Sequence, residues 1–445
     1  MNNGGLIVLL IAILVLGTGA LAWYRAEGTP PTYEAPESLI VGRSGHDLAL
    51  ALADGESGLR SVRVWVSHGG EERPLLEESF PGNLLSGGVR RDHAVALKLD
   101  PAGLGELSDG AFLHIAVRDW SWRGGFGGNE TAREIPLRVD VDPPQVSVRS
   151  GLTYLRQGGA ASVAYHVSEP TVRDGVSVGE HFYPGHPKPG GGAGERFALF
   201  AAPLGGDPEA PIRVVALDAA GNQSEASWPV VLKRHPQPSG RVRLSDSFLQ
   251  NVVPRLAPDA GADRAAAFHT VNTELRAANE ARIRELAAAG AQQRLFGPVL
   301  RQLANSKVTS RFGEKRSYEV NGQAISEAVH FGYDLASYAA APVTAATGGH
   351  VLHAGALGIY GNCVILDHGL GLTTLYGHLS RIDVEVGQKV GEGEVLGLTG
   401  ATGLAGGDHL HFAVMVGDTY VDPLEWWDEK WVATHVDANL IGPTS

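Results

Sequence analysis

The sequence predicts a mainly β protein that begins with a membrane helix. Three observations carry this expectation. A charge-free apolar stretch opens the chain at Gly5. Short alternating apolar runs, punctuated by Gly, Pro and Asp, fill residues 27–233. Further strand-like runs with glycine turns follow Asn305. The expected order is a transmembrane anchor (1–26), two immunoglobulin-like β-sandwiches (27–143 and 144–237), a helical connector (238–305), an all-β domain (306–430) and a C-terminal tail (431–445).

Composition sets the outer bounds. A chain of 445 residues has room for about three domains. With 43% apolar and 19% charged residues it is globular rather than disordered. A net charge of −13 argues against a nucleic-acid partner, which needs a basic face. Cys363 is the single cysteine, so no internal disulfide forms and the redox compartment stays open.

The first element, "GLIVLLIAILVLGTGALAWY" from Gly5 to Tyr24, has the roughly 20 residues that cross a bilayer as a helix. Trp23 and Tyr24 suit the interfacial belt, and Arg25 closes the segment. The rival is a cleaved signal peptide with Ala20-Leu21-Ala22 as its small-residue site. The start "MNNGG" lacks the basic region such a peptide carries, which favours an uncleaved anchor.

The runs "LRSVRVWVS", "AFLHIAVRDW", "QVSVRSG", "IRVVALDAAG" and "SWPVVLKR" are spaced as in β-sandwiches. A weak repeat supports two tandem copies, divided near Asp142-Pro143-Pro144. In "HIAVRDWSWRGGFGGNETAREIPLRVDVDPP" and "RVVALDAAGNQSEASWPVVLKRHPQP", Asp119 aligns with Asp218 and Asn129 with Asn222. Such modules more often space or dock than catalyse, and envelope proteins are the partners they would meet. The segment "PGHPKPGGGAGE" reads as a surface insertion.

After the linker "HPQPSG", residues Ala262 to Ala289 are rich in Ala, Glu and Arg. Phe268, Val271, Leu275, Ala278, Ile283 and Leu286 recur at helical spacing. The plain reading is a connector packed on the next domain. The sharper reading is an inhibitory segment whose polar residues His269, Asn272, Glu274 and Asn279 reach a catalytic groove.

Beyond Asn305, "GGHVLHAG", "GNCVILDHG", "GLTTLYGHLS", "VEVGQKVGEGEVLGLTG" and "HLHFAVMV" predict one compact β domain. Histidines gather at its turns: His330 with Asp334 in "HFGYD", His378 in "YGHLS", His409 and His411 in "HLH". With 17 histidines in the chain, chance supplies on the order of 0.6 His-x-His patterns, so the weight lies in convergence. A period of two puts His409 and His411 on one strand face. Imidazole and carboxylate ligands suit zinc, and a catalytic site needs three of them plus an open position. His330, Asp334 and one histidine of the pair would supply three. The other, with His378, is left for proton transfer and oxyanion stabilisation.

In order, "SRFG", "HFGYDLAS", "GNCVILDHG", "TTLYGHLS", "VGQKVGEGEVLGLTGATG", "DHLHFAV" and "VDPLEW" make the segment from Lys307 to Trp427 resemble the lysostaphin-type (LytM-like) zinc endopeptidases that cut peptidoglycan cross-bridges. The resemblance covers a little over a quarter of the chain. It implies a duplicated-hybrid-motif peptidase domain, Zn2+ as cofactor, His330, Asp334 and His411 as its ligands, and His378 and His409 as catalytic histidines. It also implies peptidoglycan peptide stems as substrate. With the anchor, this suggests a single-pass inner-membrane protein with a periplasmic ectodomain. "LASYAAAPV" departs from the shorter Ala-Pro-Gly turn of the family and removes no ligand. No His-Glu-x-x-His is present.

Other readings stay beside this one. Relatives that lack ligands activate other cell-wall hydrolases, which makes a catalytically silent activator or scaffold the alternative. "VGQKVGEGEVLGLTG" has the texture of carrier domains, but Lys389 is not in a Met-Lys hairpin. His350, His353 and His368 read as surface or turn residues, and Cys363 as a small buried hydrophobe. "GLTGATGLAGG" lacks the lysine of a phosphate loop and reads as groove lining.

Overall fold

The computed structural model describes residues 3–105, 107, 110–259, 261–288 and 290–441. Residues 1 and 2 of the expected anchor, Ala289 at the end of the expected helix, and tail residues 442–445 lie outside the described residues. The protein is mainly β, with two compact units: Met1–Pro143 with Asp218–Asn222, and Pro144–Leu217 with Gln223–Ser445.

In the first unit, one helix runs Asn3–Arg25. Its 23 residues rise about 35 Å, enough for a hydrocarbon layer of about 30 Å. A five-stranded sheet follows, in the order Leu39–Val41, Glu130–Val139, Ala111–Asp119, Leu59–His68, Glu71–Ser79. The pair His46–Ala53 and Asp92–Leu99 forms a second sheet. Alternation explains how they share a core. Leu48, Leu50 and Leu52 point inward from one sheet and Val62, Val64, Leu113 and Ile115 from the other.

The aligned Asp and Asn of the repeat make the same clamp twice. Asp119 Oδ1 accepts from the Asn129 backbone N–H at 2.7 Å and Oδ2 from its side-chain amide at 2.8 Å. Asp218 accepts the equivalent pair from Asn222 at 2.8 and 2.9 Å. A buried carboxylate thereby closes each strand-to-strand turn through fixed donors.

The second unit begins with two four-stranded sheets. One is ordered Val146–Val148, Ala160–Val167, Glu195–Ala201, His186–Pro187, the other His181–Pro184, Arg173–Val178, Ile212–Leu217, Gln223–Ala226. The connector is helical from Arg264 to Ala287, with a π turn at Val271–Leu275. Asp263 caps it by accepting from the backbone N–H of Ala265 and Ala266. Phe268, Val271 and Ile283 are buried as the spacing predicts, whereas Ala278 is exposed. Asn272 and Asn279 are buried as well.

The C-terminal domain is built on an eight-stranded sheet. Its main order is Lys307–Ser310, Tyr333–Ala336, Leu410–Val416, Leu372–Leu379, Asn362–Asp367, Gly349–Ala356, Lys389–Val390, with Thr419–Val421 paired to Leu410–Val416. All seven residues of Leu410–Val416 are buried, which is why that stretch reads as a continuous apolar run. The expected tail differs from the sequence reading. Residues Glu429–Leu440 form short helices, because Val432, Val436 and Leu440 recur every fourth residue and bury one stripe. The Asn439 amide donates to the Ser162 carbonyl at 3.0 Å, holding this end on the strand Ala160–Val167.

Candidate metal centre

Strand pairing builds the centre. Tyr333–Ala336 lies antiparallel to Leu410–Val416 with Asp334 directly opposite His411, and Gly377 opposes His411 from the other side. Side chains of directly opposed residues share a face, so Asp334 and His411 meet although 77 positions separate them. His330 stands just after the strand Gln323–Val329.

Three atoms converge. His330 Nε2 lies 3.0 Å from Asp334 Oδ1 and 3.1 Å from His411 Nδ1, and His411 Nδ1 lies 3.0 Å from Asp334 Oδ1. The second atoms of the set are spoken for. His330 Nδ1 donates to the Arg311 carbonyl at 3.0 Å, so Nε2 carries the lone pair. Asp334 Oδ2 accepts from Arg316 Nη2 at 2.9 Å. Two imidazole nitrogens and a carboxylate oxygen thus face one another in a buried place, an arrangement that needs a cation among them. Four-coordinate zinc with bonds near 2.0–2.1 Å separates its ligand atoms by roughly 3.3 Å, close to the triangle found. The donor set fits a metal ion.

The other two histidines stand alongside. The ring centroids of His378 and His409 are 4.8 Å apart, and His378 is 5.8 Å from His411. His409 Nε2 is 3.6 Å from Asp334 Oδ1. His378 Nδ1 donates to the Thr402 carbonyl and His409 Nδ1 to the Gly407 carbonyl, each at 2.8 Å. Nε2 of His378 is thereby left to the cavity, whereas Nε2 of His409 faces Asp334 Oδ1. His378 sits at a φ of 64°, a left-handed conformation uncommon outside glycine and found mostly where surrounding structure enforces it.

Charge follows burial. Burial alone would raise the Asp334 carboxyl, but the imidazoles of His330, His409 and His411 hold it well below the usual carboxylate range. His378 is pushed down to about 3, by burial first and then by His409 and His411. Burial likewise takes His411 to about 4. Against its burial, His409 is raised, chiefly by Asp334. His378 and His411 thus stay neutral near neutral pH, the form in which imidazole can bind a metal.

The centre opens on a cavity of about 550 Å3 whose walls include Phe268, Arg276, Arg316, Tyr360 and Leu404. All five residues singled out in the sequence line or adjoin this one cavity. The glycine-rich loop contributes Leu404, Ala405 and Gly406, a groove lining as expected. The connector supplies a wall. Its His269 bonds to the Ile325 carbonyl, Asn272 to Ser326 Oγ, and Asn279 Oδ1 accepts from the Ile359 backbone N–H. Neither these three nor Glu274 lines the cavity, and His269, Asn272 and Asn279 are bonded to the C-terminal domain instead.

Of the two options read for His368, surface or turn, the surface is excluded: it follows the strand Asn362–Asp367 and is fully buried, with Nδ1 donating to the Gly348 carbonyl and Nε2 accepting from Thr374 Oγ1, both at 2.7 Å. Arg316 carries no motif signal, yet it grips the second oxygen of Asp334. Only its place in "SRFGEKR", ahead of the histidines, hints at a role. Cys363 is buried and its thiol is pushed up to about 12 by burial, as a small core hydrophobe should be.

With this geometry in place, the comparisons are specific. Residues 328–423 match the family model described as Peptidase family M23. The peptidoglycan DD-endopeptidase ShyB of Vibrio cholerae is 34% identical over 138 residues, 31% of this chain and 32% of that protein. The DD-carboxypeptidase/endopeptidase Mpg of Neisseria meningitidis serogroup B is 34% identical over 122 residues, 27% of each chain. An uncharacterized metalloprotease of Haemophilus influenzae is 36% identical over 131 residues, 28% of this chain and 26% of that protein. The chain thus covers a third or less of the length of these relatives. The C-terminal domain that carries the His-Asp-His group is a Peptidase family M23 domain.

Proposed function

We propose that this chain is a zinc endopeptidase that hydrolyses peptide cross-links of peptidoglycan, held by its N-terminal helix in the inner membrane with the rest of the chain in the periplasm. One observation carries the reading. His330 Nε2, Asp334 Oδ1 and His411 Nδ1 converge within 3.1 Å of one another on the floor of an open cavity, with two further imidazoles beside them. The names of ShyB and Mpg, peptidases of peptidoglycan or of D,D bonds, support the substrate class.

His330, Asp334 and His411 would hold the ion. The chemistry zinc supplies when bound is Lewis acidity, which polarises a carbonyl and lowers the pKa of water toward about 7. This chain's residues do the rest. Hydrogen bonds to the Thr402 and Gly407 carbonyls orient His378 and His409 and leave each Nε2 facing its task. A neutral Nε2 would accept a proton from the attacking water and, once protonated, donate to the developing oxyanion and pass that proton to the leaving amine.

The test is digestion of purified peptidoglycan by the intact chain, with mass analysis of products and zinc measured in parallel. Cross-link cleavage is expected with one zinc per chain. His330→Ala should lose both metal and cleavage, whereas His378→Ala and His409→Ala should keep the metal and slow by about 10²-fold or more. A chain that holds zinc and leaves peptidoglycan intact would instead be the silent activator.

A further inference from the structure

The helix Asn3–Arg25 does not leave the first unit through a loose tether. Arg25 is 1% exposed. Its Nε donates to the Leu84 carbonyl at 3.2 Å and its Nη2 to the Trp120 carbonyl. Its own carbonyl accepts from the Trp122 backbone N–H at 2.7 Å. Trp122 Nε1 donates to the Leu84 carbonyl at 2.5 Å, and Arg123 Nε to the Ala26 carbonyl at 3.1 Å. Two loops, one around residues 81–91 and one around 120–128, therefore clasp the end of the helix.

Those loops also carry the apolar surface of this unit. Among the described residues beyond the helix, its large exposed hydrophobics are Leu84 (40%), Leu85 (69%), Val89 (83%), Phe126 (53%) and Val141 (38%). Four of the five lie in the two loops that hold Arg25. Trp23 and Tyr24 are exposed on the last turn of the helix and share a cavity with Arg123 of the second loop. Scattered exposed apolar residues are ordinary, but a cluster at one end marks an interaction surface.

We propose that this end of the first unit is seated in the bilayer the helix spans, with Leu84, Leu85, Val89 and Phe126 at the boundary between headgroups and acyl chains. The inference rests on the helix being an uncleaved anchor. Continuity with the helix selects lipid as the occupant: the same residue that ends the apolar span is bonded to the loops that bear the patch. The contact is apolar rather than a charge match, because Glu27 and Glu56 stand with Arg123 around the cavity of about 610 Å3 at the helix exit. Insertion of side chains by several ångströms is what interfacial segments do, and Trp and Tyr favour that depth.

The test uses the full chain, with Cys363→Ala to leave one thiol, reconstituted in phosphatidylcholine–phosphatidylglycerol vesicles. A small fluorophore is placed at Leu85→Cys, Phe126→Cys or Glu71→Cys. Glu71 follows the far end of the ten-residue strand Leu59–His68, about 30 Å from the loops. Flotation with the vesicles reports the anchor separately. Probes at 85 and 126 should be quenched by nitroxide lipids labelled high on the acyl chain. Acrylamide should quench them about threefold less than the probe at 71. A floating chain whose three probes respond alike to acrylamide overturns the seating and leaves the anchor intact. Shielding at 85 and 126 without lipid quenching means a protein cover and also overturns it. A chain that does not float removes the anchor itself, and the inference with it.

Discussion

His330, Asp334 and His411 each present one ligand atom, but Asp334 has two oxygens, and Arg316 decides between them. Its Nη2 holds Oδ2 at 2.9 Å while Oδ1 faces the imidazoles. Partners behind a ligand orient it and are worth about 10- to 100-fold in metal affinity. Arg316→Gln should therefore weaken zinc binding by about tenfold or more in chelator competition, with Arg316→Lys intermediate; unchanged affinity would make Arg316 a bystander. His368 offers a pH test away from the centre. Burial pushes it down to about 4 from the ordinary 6.5. On acidification the unfolded chain takes up this proton first, so the stability is full above 6.5 and is lost as pH falls toward 4. Between about pH 7 and pH 5 the loss should be about 2 kcal/mol, read by urea unfolding. His368→Gln should flatten that part of the slope, and an unchanged slope would remove the attribution.

At the level of elements, three strands and one helix share the work. The strand Leu410–Val416 lies between Tyr333–Ala336 and Leu372–Leu379, so one central strand brings the proposed ligands and the proposed catalytic histidines together. The connector helix forms the wall facing them. Phe268 is fully buried, 5.0 Å from Tyr318 and 6.4 Å from Phe248 by ring centroid. Phe268→Ala should destabilise by about 3 kcal/mol through lost burial and the void left behind. Because Phe268 also lines the cavity, KM should rise more than kcat falls. A variant with faster cleavage and native stability would instead revive the helix as an inhibitory element.

For the molecule as a whole, the second unit has a single apolar core running from Leu155 through Ile283 to Leu440. Arg156 bolts the N-terminal β sheets of this unit to the peptidase domain. Nη2 donates to Asp422 Oδ2 at 2.7 Å and Nε to Glu425 Oε1 at 3.1 Å, both carboxylates being nearly buried. Removing the cation leaves two buried carboxylates facing each other, at a cost of about 3 kcal/mol. Arg156→Ala should lower the denaturant midpoint of this unit while it still unfolds in one transition. Two resolved transitions in the native chain would mean the parts are independent.

The sequence by itself determined what is local in character. Apolar run length marks the N-terminal helix, period-two alternation marks the strands, and the ordered motifs with His330, Asp334, His378, His409 and His411 mark the centre. The repeat aligned Asp119 with Asp218 and Asn129 with Asn222; that each Asp accepts from its own Asn came only with the structure. Tertiary structure alone decided the rest. Arg316 reaches Asp334 across 18 positions and Asn279 reaches Ile359 across 80. Arg25 meets Trp120 across 95. No periodicity encodes such pairs, since they depend on which strands and loops become neighbours. His368 read as a surface or turn residue for the same reason: its burial comes from chain segments packed over it, and a polar residue in a turn is buried only when distant atoms satisfy its hydrogen bonds.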